Sequence, residues 1–145
     1  PKSILDIGLT LEYLETHGVP VVGYRTGELP AFYSRQSGFD IDYRLDSPTA
    51  IANVLRTQWS AGLAGGMVIA NPVPEAHAMD RETMEGLIEH ALKSAADQRI
   101  AGKELTPFLL QKIEEFSGGD CLEINVQLVV NNARLAAQIA QALSF

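Results

Sequence analysis

The sequence reads as an α/β fold in three layers, α/β/α around a mixed sheet that is short of strands. Three observations carry this reading. Two short apolar runs rich in β-branched residues, 19–24 and 66–71, lack the alternation of a one-sided strand and so fit strands covered on both faces. Stretches with helical spacing of apolar residues lie before, between and after them. Glycine or proline stands at nearly every hand-over, which is the punctuation of layered α/β chains.

Taken in order, Ser3 with Asp6 makes a capping pair for a first helix reaching about Thr16, with Ile4, Leu5, Leu9, Leu11 and Tyr13 as its apolar positions. Gly18 supplies its left-handed end. The run 19–24 follows as a buried strand. Residues 27–38 form a polar and aromatic loop, and 39–45 alternate Phe39, Ile41, Tyr43 and Leu45 with charged residues, the pattern of a half-exposed edge strand. Ser47-Pro48 joins an N-cap to a proline at the first helical position. That helix carries Ile51, Val54, Leu55 and Trp59 and ends near Gly62 to Gly66. The strand at 66–71 is stopped by Pro72 and Pro74.

Asp80 caps a helix with Met84, Leu87, Ile88, Ala91, Leu92 and Ala95 inward, and Thr106-Pro107 opens another bearing Leu109, Leu110, Ile113 and Phe116. Gly118-Gly119 interrupts, and Asp120 caps a last helix over 121–143 that is apolar nearly all round. Such a helix is expected deep in the fold, or against another chain or a missing segment. Three strands make a thin sheet, the chain opens on Pro1 without a methionine, and helical periodicity begins at once. Residues 1–145 are therefore expected to be one part of a longer folded unit, with no second domain.

Composition excludes several classes. The 145 residues carry 11 Lys and Arg against 18 Asp and Glu, a net charge of −7. Nucleic acid polymers need a basic footprint that is missing here, although a few local donors could still hold one small phosphate. No run reaches the ~18 apolar residues of a membrane span. A single cysteine, Cys121, fits a reducing, cytoplasmic setting.

Among chemically able side chains, His17, His77 and His90 fall in separate elements without the spacing of a metal site and read as structural. Gly62-Leu63-Ala64-Gly65-Gly66 leads into a strand, so it lacks the context of a phosphate loop. Cys121 at a helix start could have a lowered pKa, but no histidine is near it in sequence. Lys2 precedes a capped helix, whose positive end disfavours the ammonium and favours the neutral amine that imine chemistry needs. By itself a lysine there is ordinary solvated surface. Asn125 interrupts an apolar helix that also holds Asn131 and Asn132, where a buried amide must find partners. It serves either as a structural cross-link or as a ligand contact, and its paired donor and acceptor suit a pyrimidine imide edge.

The stretch from Lys2 through Asp6 to Thr16 resembles the catalytic-lysine segment of the pseudouridine-5'-phosphate glycosidases, the indigoidine synthase A-like proteins. The resemblance continues through Leu29-Pro30-Ala31-Phe32, Asn71-Pro72-Val73-Pro74-Glu75, the 102–110 segment and Asn131-Asn132-Ala133. It implies reversible cleavage of the C–C glycosidic bond of pseudouridine 5'-phosphate to uracil and ribose 5-phosphate. Lys2 would form an imine with C1' of the opened ribose, and Asn125 would contact the uracil. It further implies a homotrimer and a divalent metal, usually manganese, with the metal ligands, acid/base glutamate and phosphate-binding lysine in an N-terminal half preceding Lys2. No metal ligand is assigned within 1–145. The chain alone is then expected to be inactive. Two other readings stand beside this one: a non-catalytic fragment that acts as an interaction subunit, and another imine-forming lyase acting on a sugar phosphate.

Overall fold

The structure, a computed structural model, describes residues 6–144. Asp6 caps the first helix, α1 (Ile7–Thr16), by accepting from the Leu9 amide at 2.9 Å. The pairing of Ser3 with Asp6 involves a residue outside the described set. No residue of α1 is buried, and Leu9 and Tyr13 lie on the surface.

Strand β1 (Val21–Tyr24) is central, between β2 (Tyr43–Leu45) and β3 (Val68–Ala70) in the order β2-β1-β3. Both pairings are parallel, with Val22 opposite Tyr43 on one side and Ile69 on the other. Antiparallel pairing is confined, among the described residues, to two isolated bridges. Gly23 sits where β1 turns: a Cβ there would come within 2.1 Å of the Thr26 carbonyl oxygen, so only glycine fits.

The expected strand over 39–45 shortens to three residues for a visible reason. The Leu29 amide donates to the Phe39 carbonyl and the Ile41 amide to the Gly27 carbonyl, which spends this backbone on closing the 27–41 loop. Glu28 ties the loop from inside by accepting from the Ser37 and Gly38 amides. Leu29, Ala31, Tyr33 and Ser34 are consequently buried, and the segment is a folded plug.

Helix α2 (Pro48–Ser60) starts where Ser47-Pro48 indicates, with Ser47 Oγ accepting from the Ala50 amide at 3.1 Å. Its buried face is Ile51 and Ala52, whereas Val54 and Trp59 lie open beside an apolar groove of about 590 Å³ on the β1–β2 side. Asp80 caps α3 (Arg81–Asp97) as read from sequence. Helix α4 (Leu105–Phe116) begins ahead of the expected Thr106 cap, because a 3₁₀ turn at Gly102–Glu104 leads into it and leaves Pro107 inside the first turn. In α5 (Asp120–Leu143) the cap position falls to Gly119 at φ 100°, and Asp120 is already helical.

The core sits among the helices more than on the sheet. Met84, Ala91 and Ala95 of α3, Leu109 and Ile113 of α4, and Cys121, Ile124 and Leu128 of α5 close around Tyr33 and Val73. Helix α5 is less deeply set than its composition implies: Cys121, Ile124, Leu128 and Leu135 are buried, and Leu122, Val126 and Val129 are exposed.

Candidate functional site

Parallel strands direct their carboxyl ends to one side of a sheet, and the crevice beside them is the usual ligand position in open α/β folds. A cleft of about 290 Å³ opens at the end of β3. Pro30, Phe32, Ala70, Asn71, Leu128 and Asn132 line it, so the plug, the end of β3 and helix α5 each contribute a wall. Phe32 has φ 68°, a left-handed conformation that costs a non-glycine residue about 1 kcal/mol. The plug holds it there: the Ala31 amide donates to the Ser34 carbonyl and the Tyr33 amide to the Ala31 carbonyl, both at 2.9 Å. The ring stands edge-on to Tyr33, 4.7 Å between centroids.

Two amides, Asn71 and Asn132, line this cleft, and Asn131 adjoins the latter on α5. Asn71 Nδ2 donates to Asn132 Oδ1 at 2.9 Å, and Asn131 Nδ2 donates to the Pro72 carbonyl at 3.0 Å. Asn125 is half-buried on the same face of α5 as Leu128 and Asn132, about two turns from the latter. It makes no side-chain hydrogen bond with another described residue. Among the described residues the cross-linking asparagines are 71, 131 and 132.

The remaining sequence candidates separate. Lys2 lies outside the described residues. Cys121 is buried in the core; desolvation pushes its thiol up, with the nearby Glu114 and Asp120 adding to the effect against a Ser117 hydrogen bond. Burial overrides the lowering expected at a helix start. His17 bonds the Tyr13 carbonyl through Nδ1 at 2.9 Å and stacks on that ring, and His90 stands edge-on to Phe116. Among the described residues no three His, Cys, Asp or Glu side chains come together as a metal site. No described helix is long and apolar enough to cross a membrane.

Asn71 and Phe32 are cleft residues that reasoning from pattern alone does not single out. Their only trace in the sequence is that each sits in a motif shared with the glycosidases, beside prolines 72 and 30.

Comparison with known proteins agrees with this layout. Over 139 residues, 96% of the chain, the sequence is 60% identical to the pseudouridine-5'-phosphate glycosidase of Hahella chejuensis, of which it covers 46%. The Escherichia coli K12 protein of the same name is 54% identical over 97% of the chain and 45% of its own length. Among solved structures, the prealnumycin C-glycosynthase AlnA in complex with ribulose 5-phosphate superposes with a TM-score of 0.91 at 36% identity, over 99% of this chain and 47% of that one. An indigoidine synthase A-like protein from Thermotoga maritima gives 0.83 at the same identity, over 99% and 46%. The chain thus spans about half the length of these relatives. The sequence profile of the indigoidine synthase A-like proteins matches residues 1–142, and the chain belongs to that family.

Proposed function

We propose that this chain is the part of a pseudouridine-5'-phosphate glycosidase that carries the imine-forming lysine and one wall of the pyrimidine site. The observation that carries the reading is the 60% identity across 96% of the chain to a protein of that name. The AlnA structure adds that a protein with this fold holds a pentulose phosphate.

In this reading the Lys2 amine bonds to C1' as the C1'–O4' bond breaks and O4' takes a proton, which opens the ribose. The nitrogen lone pair then forms the C1'=N double bond as the electron pair of the C1'–C5 bond leaves with the pyrimidine, whose C5 takes a proton. The iminium left between C1' and Lys2 is hydrolysed by one water, returning ribose 5-phosphate and the free amine. A nitrogen on C1' is what makes a carbon leaving group feasible, because its lone pair supplies the electrons of the new C=N bond as the C1'–C5 pair departs on the pyrimidine. Asn125 offers its amide to the imide edge of the base, and the apolar Pro30, Phe32 and Leu128 exclude water from the cleft along the same helix. The enzyme is read as a cytoplasmic trimer of the longer polypeptide. Manganese finds no donor set among the described residues, and no step assigned to this chain runs through a metal.

The test is trapping at the full length of the relatives. Ribose 5-phosphate and borohydride should leave a stable secondary amine, found by peptide mass analysis at Lys2 and abolished by Lys2→Arg. Uracil release from pseudouridine 5'-phosphate should vanish in the same variant. A trapped adduct elsewhere, or undiminished turnover by Lys2→Arg, overturns the reading. The isolated chain should release no uracil.

A second reading has its own observation: the exposed Leu122, Val126 and Val129 of α5 fit an interaction subunit without catalysis. The same trapping experiment separates the two.

A further inference from the structure

The segment leaving β3 reads Asn71-Pro72-Val73-Pro74. Its prolines have no N–H, so the stretch cannot be held by a ladder of its own and its buried carbonyls need donors from elsewhere. Side chains provide them. Asn131 donates to the Pro72 carbonyl and Arg35 Nη1 to the Val73 carbonyl, at 3.0 and 2.6 Å. Asn71 in turn donates to Asn132. Two consecutive residues of α5 thus grip two consecutive residues of the strand end, across 59 and 61 positions of sequence. Neighbouring helical positions point about 100° apart, so two such bonds fix both the rotation and the height of the helix. The buried Ile124, Leu128 and Leu135 hold the helix on the core, and the two bonds set its register against the strand end. Asn125 lies seven residues before Asn132, about 10 Å along the same axis, and moves with it.

We infer that the Asn71–Asn132 and Asn131–Pro72 bonds are positioning contacts that aim the amide of Asn125 at the pyrimidine. They set affinity for the base and leave imine formation at Lys2 unaffected. The inference rests on the glycosidase reading above, and its chemistry gives an asymmetric test. Asn71 faces an amide, which can flip: in Asn71→Asp the bond survives, with Asn132 Nδ2 donating to the carboxylate. Asn131 faces a carbonyl, which cannot donate, so Asn131→Asp sets acceptor against acceptor and loses the bond.

In the full-length enzyme, KM for pseudouridine 5'-phosphate and the inhibition constant of uracil would be measured beside borohydride trapping of ribose 5-phosphate. Asn131→Asp and Asn71→Leu should raise both constants roughly threefold to tenfold, the scale of one lost hydrogen bond at a partly exposed site, with trapping unchanged. Asn71→Asp should lose clearly less than Asn71→Leu, because its carboxylate still accepts from Asn132 Nδ2. The inference falls if Asn131→Asp binds uracil as well as the parent, if uracil affinity and trapping decline in parallel, or if Asn71→Asp loses as much as Asn71→Leu. Should Asn131→Asp fail to fold, the two Asn71 variants decide. A parent enzyme that neither turns over the nucleotide nor binds uracil defeats the glycosidase reading itself, and the inference with it.

Discussion

Tyr33 shows how much a single residue's environment departs from its sequence neighbourhood. It lies in the polar stretch 27–38, yet only 6% of it is exposed, and its hydroxyl has no hydrogen bond to another described residue. Burial first, then the neighbouring Cys121 and Glu114, push its pKa from 10.0 up to about 12. The folded chain therefore keeps the phenolic proton where the unfolded chain releases it. Stability from this group is complete below pH 10 and is lost as pH climbs toward 12. Tyr33→Phe should be nearly neutral at pH 7 and should hold its urea midpoint better than the parent between pH 10 and 12. An equal alkaline loss in both proteins would contradict this. Cys121 shifts in the same direction, so the comparison must be made against the parent with its cysteine intact. The Tyr33 shift is not legible in the sequence, because the residues that bury and surround it come from α4 and α5, far along the chain.

At the scale of elements, starts fixed by local chemistry were readable and faces fixed by packing were not. Ser47-Pro48 and Asp80 announce their helices because the cap bonds reach only three residues. Thr106-Pro107 misleads because a 3₁₀ turn supplies the entry instead. Val54 and Trp59 share an apolar period with Ile51, but the turn of α2 against its neighbours puts Ile51 and Ala52 inside. Helix α5 is the clearest case. Leu122, Val126, Val129, Ala133, Ala136 and Ala140, spaced alternately by four and three, form a stripe that is exposed along its whole length. Composition shows that the helix is apolar, not which stripe finds cover within the chain. Replacing Val126 and Val129 together by Gln should then change unfolding free energy in the isolated chain by no more than about 0.5 kcal/mol per site, measured by urea titration. A loss of several kcal/mol would mean that these side chains are packed in solution.

For the whole molecule, the α/β class, the strand-poor sheet and the family were all open to sequence reasoning, the last through motifs spread from Lys2 to Ala133. The parallel order β2-β1-β3 and the cleft at the end of β3 were not. They depend on pairings such as Asn71 with Asn132, which no local pattern encodes. Lys2 and Asn125 entered through resemblance and remain matters for the trapping and binding experiments above.

The three-stranded sheet has a colloidal consequence. Among the described residues, β2 and β3 each turn one row of amides and carbonyls away from any partner strand, and such rows are templates for foreign strands. With a net charge of −7, like-charge repulsion holds copies apart at neutral pH and low salt. It fades at the isoelectric point near 4.8, and at 0.1 M salt it reaches only about 10 Å. The isolated chain should therefore cloud most readily near pH 4.8, with turbidity at neutral pH growing as salt is added. A clear solution under both conditions would show that these edges are shielded.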